Sequence, residues 1–160
     1  MSFSKQIQAF NEKVEKAASL VFRGASLSIF SAVVKRTPVG NPDLWLYKHP
    51  QKGYVDYLTY KDAPEGYTGG RLRSNWQVSL DNLPIGEIDS TDKQGSKTIN
   101  IGSSIINKAK INNTVYLINN LPYAQVVEEG SPTQAPAGMV RVTIAEWRYI
   151  VMRNAKKYKR

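Results

Sequence analysis

Nine apolar residues at the start of the chain recur every three or four positions: Phe3, Ile7, Phe10, Val14, Ala18, Val21, Ala25, Ile29 and Val33. On an α-helix this spacing gathers all of them on one stripe, so the first part of the chain is committed to a single amphipathic helix that must bury that stripe against something. Ser2 or Ser4 can cap its start. Pro38 stops it, because the residue before a proline is pushed out of the helical region. The helix is expected over 3–36. Gly24 inside it costs about 1 kcal/mol and marks a close contact or a slight bend.

Beyond Pro38 the pattern breaks up. Residues 40–70 are rich in glycine and proline and carry Tyr47, Tyr54, Tyr57, Tyr60 and Tyr67. A loop this long is uncommon inside a compact domain, so 41–67 reads as an exposed excursion. The apolar triplet Leu44-Trp45-Leu46 within it needs cover from some surface. Trp76-Gln77-Val78-Ser79-Leu80 then alternates as a half-buried strand does, Thr98-Ile99-Asn100-Ile101-Gly102 alternates again, and 114–120 reads as a third strand. Residues 81–97 read as a polar turn and Ile105-Ile106 as a short helical link. Pro122 starts a short helix expected to turn Tyr123, Val126 and Val127 inward and Glu128 and Glu129 outward. Val140, Ile144, Trp147 and Val151 have helical spacing, and Thr143 with Glu146 has that of a capping box. Trp76 and Trp147 are expected in the core. The whole is one α+β domain over 1–160: an antiparallel sheet of three to four strands, the fourth in 54–60, packed with a long N-terminal and a C-terminal helix.

The chain has no cysteine and one histidine, His49, between Lys48 and Pro50. Disulfides, zinc-thiolate sites and thiol nucleophiles are therefore excluded, and a transition-metal site would need carboxylates for nearly every ligand. Gly69-Gly70-Arg71 lacks the spacing and the lysine of a P-loop, and no glycine-serine elbow accompanies the histidine. No catalytic residue, cofactor or metal is expected. No apolar run approaches the roughly 18 residues of a membrane span, so a soluble protein without a membrane partner is expected. The net charge of +9 sits at the two ends, with six basic groups against two acidic in 1–40 and seven against one in 141–160. A basic end can bind nucleic acid, an acidic protein or nothing specific. The C-terminal cluster is Arg153, Lys156, Lys157, Lys159 and Arg160, a tail over 153–160.

Candidate interface residues follow from the same reading. Trp45, Tyr47, Tyr54 and Tyr57 suit contact, because aromatic side chains bury area at small entropy cost. Arg71 and Arg73 flank Leu72 on a helical turn, so the leucine can enter the core while both guanidiniums meet a neighbour, solvent or a DNA phosphate. Glu128 and Glu129 point about 100° apart on a helix, which leaves a solvated helix end or an intersubunit salt bridge.

Four blocks stand in order: Arg36-Thr37-Pro38-Val39, then Gly70-Arg71-Leu72-Arg73 with Trp76, then Asn120, Pro122, Tyr123 and Ala124 with Glu128 and Gly130, then residues 135–140. In this order they resemble a family of small tail components of long-tailed bacteriophages, the tail-completion or head–tail joining proteins of the neck. Many members place the second block directly after the first, whereas here residues 41–67 intervene. The resemblance implies a non-enzymatic virion protein that forms a ring, expected to be sixfold, and joins the DNA-filled head to the tail. It implies as partners further copies of the chain, adjoining neck and connector proteins, and tail-tube or tail-terminator proteins, with phage DNA passing through the lumen unread. The alternative left by the residues themselves is a nucleic-acid-binding module using the basic termini.

Overall fold

A computed structural model describes residues 2–41, 65–130 and 135–158. Helix α1 runs unbroken over Phe3–Arg36 and ends at Thr37, whose amide donates to the carbonyls of Val33 and Val34. Pro38 follows, as the sequence requires. After it come α2 (Arg71–Ser74), β1 (Trp76–Leu80), α3 (Ser96–Ile106), β2 (Val115–Asn119), α4 (Ala124–Glu128), α5 (Val140–Ala145) and α6 (Trp147–Tyr158).

The fold is mixed helix and strand, with the expected long N-terminal helix and a C-terminal helix, but the sheet has two strands among the described residues. β1 and β2 pair antiparallel, from Trp76 opposite Asn119 to Leu80 opposite Val115. The strand expected over 98–102 is the middle of α3. A five-residue alternation is too short to separate the two periods, and the buried set Thr98, Gly102 and Ile106 has helical spacing. Asp92 decides the matter locally. Its carboxylate accepts the amides of Gly95 (2.8 Å) and Thr98 (2.8 Å) and the Thr98 hydroxyl (2.9 Å), which satisfies donors that the first turn of α3 leaves open. The fourth strand expected in 54–60 lies outside the described residues.

The core forms where α1, α3 and β1 meet. Phe30, Val34, Ile106 and Met139 are essentially inaccessible, joined by Val33, Leu72, Trp76, Val78 and Leu121. Burying each such large side chain stabilises the fold by about 1.5–3 kcal/mol. Gly102 is what lets α3 sit this close. A Cβ there would lie 2.2 Å from the Phe30 ring and 2.8 Å from Val78, so any larger residue would push the helix off the core.

Trp76 is in the core as expected, but Trp147 is not: it is 56% exposed, and Ile144 is 60% exposed. The helical count from Val140 to Val151 assumes one continuous helix. The chain instead breaks at Glu146 between α5 and α6, which resets the phase and turns Thr143, Ile150 and Asn154 inward. Thr143 and Glu146 form no capping box. Arg36 donates to the Thr143 hydroxyl (2.8 Å) and the Glu146 carboxylate (2.7 Å), tying the end of α1 to the α5–α6 junction.

α6 packs along α1, with the Asn154 amide donating to the Ser28 hydroxyl at 3.1 Å. Contrary to the expectation that no stretch could span a membrane, α1 contains an 18-residue window of mean hydropathy 1.6, sufficient by length and composition. Of that window 22% is buried, with Ala25, Phe30, Val33 and Val34 of α1 lying under the rest of the chain. The first half of α1 differs. Every residue from Ser2 to Lys16 is exposed, the stripe residues Phe3, Ile7, Phe10 and Val14 included.

Candidate functional site

The first three sequence blocks meet at the C-terminal end of α1. Thr37 is fully buried. Its hydroxyl donates to the Val33 carbonyl (2.8 Å) and accepts the Trp76 indole N–H (2.7 Å), so one threonine joins a helix end to a strand start. Its own carbonyl takes Nε of Arg73 at 3.0 Å. The same guanidinium also reaches the carbonyls of Lys35 and Lys93. A cation collecting the terminal carbonyls of a helix is favoured by the helix dipole. Burial pushes the Arg73 pKa down, against the attraction of Asp92.

The turn leading into this guanidinium depends on Gly70, at φ +88°. A Cβ there would stand 2.8 Å from the Lys93 amide nitrogen, so only glycine fits both the conformation and the space. Asn75, also fully buried, donates to the carbonyls of Arg71 and Ile88 (both 2.9 Å) and accepts the Ile88 amide (2.7 Å). At the end of β2, just before the third block, Asn119 donates to the Leu72 carbonyl at 2.8 Å. Asn120 holds the carbonyls of Pro84 and Gly86.

The third and fourth blocks join through Glu128. Its carboxylate accepts the amides of Met139 (2.7 Å), Val140 (2.9 Å) and Arg141 (2.9 Å), the open donors at the start of α5. Burial pushes this carboxyl up, but the three amides and the Arg141 guanidinium outweigh it and leave the pKa below the ordinary glutamate value. Asp92 at the start of α3 follows the same balance: burial raises it, the Thr98, Gly95 and Gln94 donors lower it, and the net is lower.

Beside this junction lies an apolar hollow of about 430 Å³, lined by Pro38, Gly40, Tyr67, Leu72, Tyr123 and Val127. Arg71 stands at its rim and pairs with Glu87 (3.0 Å) and Asp89 (3.4 Å). These contacts raise the Arg71 pKa, the Glu87 hydrogen bond being the largest cause. Burial raises the Tyr123 phenol, with Arg71 opposing. Contrary to the sequence expectation, Tyr123 (42%) and Val126 (52%) are exposed, and Val127 alone of the three is drawn in. Glu128, expected to face out, turns toward α5, where its carboxylate meets those three open amides.

The expected interface residues thus fall into three sets. Arg73 and Glu128 hold the junction, while Arg71 and Glu129 are exposed, the latter accepting a hydrogen bond from Gln125 (3.0 Å). Arg153, Lys156 and Lys157 are exposed on α6, with Arg153 over the Tyr149 ring at 5.8 Å. Trp45, Tyr47, Tyr54, Tyr57, Lys159 and Arg160 lie outside the described residues. Thr37, Asn75, Asp92 and Asn119 carry roles that the sequence reading did not assign. For Asp92 the signal was there: an acid three residues before a glycine and six before a helical threonine. Among the described residues no group of three or more histidines or acids could hold a metal.

The chain matches no family model, no curated protein and no solved structure.

Proposed function

We propose that this chain is a structural component of a long-tailed phage neck, which closes with copies of itself into a ring and joins the DNA-filled head to the tail. The observation that carries the reading is the use made of the sequence blocks that resemble the tail-completion family. They form no cleft of convergent catalytic groups. They lock α1, α2, β1 and α5 into one rigid junction and leave an apolar hollow and an uncovered helix at the surface. A chain built this way positions surfaces rather than reacting groups. Its partners are further copies, adjoining neck and connector proteins and the tail tube or its terminator, and DNA passes through the lumen without being read.

Size-exclusion chromatography with light scattering, followed by cryo-EM of the particles, tests this. A closed ring, with sixfold symmetry expected, supports the reading; a strict monomer at high concentration and in assembled particles rejects it. The exposed basic groups of α6 favour a second reading as a nucleic-acid-binding module. Duplex affinity that stays tighter than the ~10⁻⁴–10⁻⁶ M of non-specific complexes at physiological salt would favour it over the first.

A further inference from the structure

The projecting half of α1 is the largest feature that the junction leaves unused. Its stripe of Phe3, Ile7, Phe10 and Val14 is exposed at 78%, 46%, 63% and 50%. A helix of this length is marginal in water unless its apolar face is covered. The spacing i, i+4, i+7, i+11 is that of a helix read by a hydrophobic groove. Two phenylalanines at these exposures present on the order of 300 Å² to a partner.

The hollow lined by Leu72, Tyr123 and Val127 has the matching chemistry. At about 430 Å³ it lies toward the small end of ligand-sized clefts (~300–1,000 Å³), which suits one or two aromatic anchors. Pro38 and Gly40 place it just past the C-terminal end of α1, whereas the stripe occupies the N-terminal end. Val14 and Arg36 are separated by about 30 Å of continuous helix, so a molecule cannot seat its own stripe in its own hollow.

We propose that the projecting half of α1 docks its Phe3–Val14 stripe into the Leu72–Tyr123–Val127 hollow of a second copy of this chain. The contact is heterologous, head to tail, and such contacts close into rings or run on as filaments. Its size favours closure. About 300 Å² of aromatic surface is well short of the ~800 Å² per partner of a stable pair, so an isolated dimer is weak and a ring, in which every copy gives and receives, is stronger. Charge also favours protein over lipid: residues 2–16 mix three lysines with two glutamates, whereas a membrane-surface helix has a strongly basic polar face. At the hollow, the lining residue Arg71 is paired with two acids, Glu87 and Asp89, which leaves that edge with one more negative than positive group to meet the lysines.

This inference rests on the self-assembling reading above, and sedimentation velocity separates the two. The full chain is compared with Phe10→Asp in the stripe and Tyr123→Arg in the hollow, with Phe3→Asp and Val127→Glu as second variants and thermal melts to confirm folding. Each variant alone should self-associate at least tenfold more weakly. An equimolar mixture of Phe10→Asp and Tyr123→Arg should form weak one-to-one dimers, populated at high concentration, and stop there, because only one intact stripe and one intact hollow remain. Full assembly by the stripe variants overturns the docking but spares the ring. Undiminished self-association by Tyr123→Arg, with no new species in the mixture, means that stripes pair with each other and overturns it too. A monomeric chain that floats with phosphatidylserine vesicles overturns it in favour of lipid. A chain that is monomeric under every condition rejects the ring as well.

Discussion

The two halves of α1 carry the same apolar spacing and opposite fates. From Val21 onward the helix runs under α6, α3 and α5, and Ala25, Phe30, Val33 and Val34 are buried. Before Ala17 the same periodicity is left uncovered among the described residues, and every residue from Ser2 to Lys16 is exposed. Periodicity therefore specifies a helix with a side to hide, and says nothing of where the cover comes from. In the embedded half the chain covers itself. In the projecting half the cover has to arrive from outside, which is why this half carries the docking proposal.

Hydrogen exchange should expose the contrast most strongly. Amides of 20–34 should exchange near the limit set by global unfolding, of order 5–15 kcal/mol for a domain. Those of 5–16 should exchange almost as fast as in an unfolded chain whenever the protein is monomeric, and slow by at least tenfold when it assembles. Equal protection of both halves in a monomer would erase the comparison.

Side-chain truncation gives the next effect. Phe30→Ala should destabilise the monomer by about 3–5 kcal/mol, the usual cost of emptying a phenylalanine site in a close-packed core. Phe10→Ala should change it by less than about 0.5 kcal/mol. Urea titrations of both read this directly, and a cost above 1 kcal/mol for Phe10→Ala would show that the projecting half is covered within the chain.

Much of the embedded architecture was legible beforehand. α1, its stop at Pro38, the strands at 76–80 and 115–119 and the burial of Trp76 all follow from spacing or from proline. The misread parts share a physical cause: each depends on one polar side chain outside the element that it fixes. Alternation alone makes the middle of α3 read as a strand, but its helical start is satisfied by Asp92; helical spacing runs on through 140–151, but Arg36 fastens the break at Glu146. Glu128 reads as outward-facing, but its three amide donors lie beyond Gly138. Such pairings leave no periodic trace. The junction's blocks were visible in sequence as an ordered set, but the hollow beside them was not, since it is made by three separated stretches of chain, 38–40, 67–72 and 123–127.

Glu128 provides the third test, within the body to which the embedded half belongs. Its folded pKa is depressed, so its stabilisation is fully present above the unfolded glutamate value of about 4.3. As pH falls through that value toward the lower folded one, the unfolded chain binds the proton first and stability declines. Glu128→Gln removes the charge and keeps one acceptor oxygen. It should cost about 1–2 kcal/mol at pH 7, in the range of caps and charge-assisted bonds, and the difference should shrink on acidification below about pH 5. A difference independent of pH would mean that packing, rather than charge, is what the variant disturbs.

The smallest expected effect lies near the passage from one half of α1 to the other, at Gly24. Alanine there gains about 0.8–1 kcal/mol of helix propensity. Its Cβ, however, would lie 2.6 Å from Oδ1 of Asn154 and 3.0 Å from the Tyr158 ring. Asn154 cannot swing aside freely. It is 7% exposed, and its amide donates to the Ser28 hydroxyl (3.1 Å) and the Ile150 carbonyl (2.9 Å). Relieving the clash therefore moves α6 or breaks those bonds, an overpacking cost of about 1–3 kcal/mol. The cost exceeds the gain, and Gly24→Ala should destabilise the monomer by about 1 kcal/mol in urea titration. Gly24→Ala in a chain truncated after Arg153, which removes both obstacles, should instead be stabilising relative to that truncated parent. If the full-length variant is the more stable one, α6 does not press on α1 at this point, and the boundary between the covered and uncovered halves lies nearer the C-terminus.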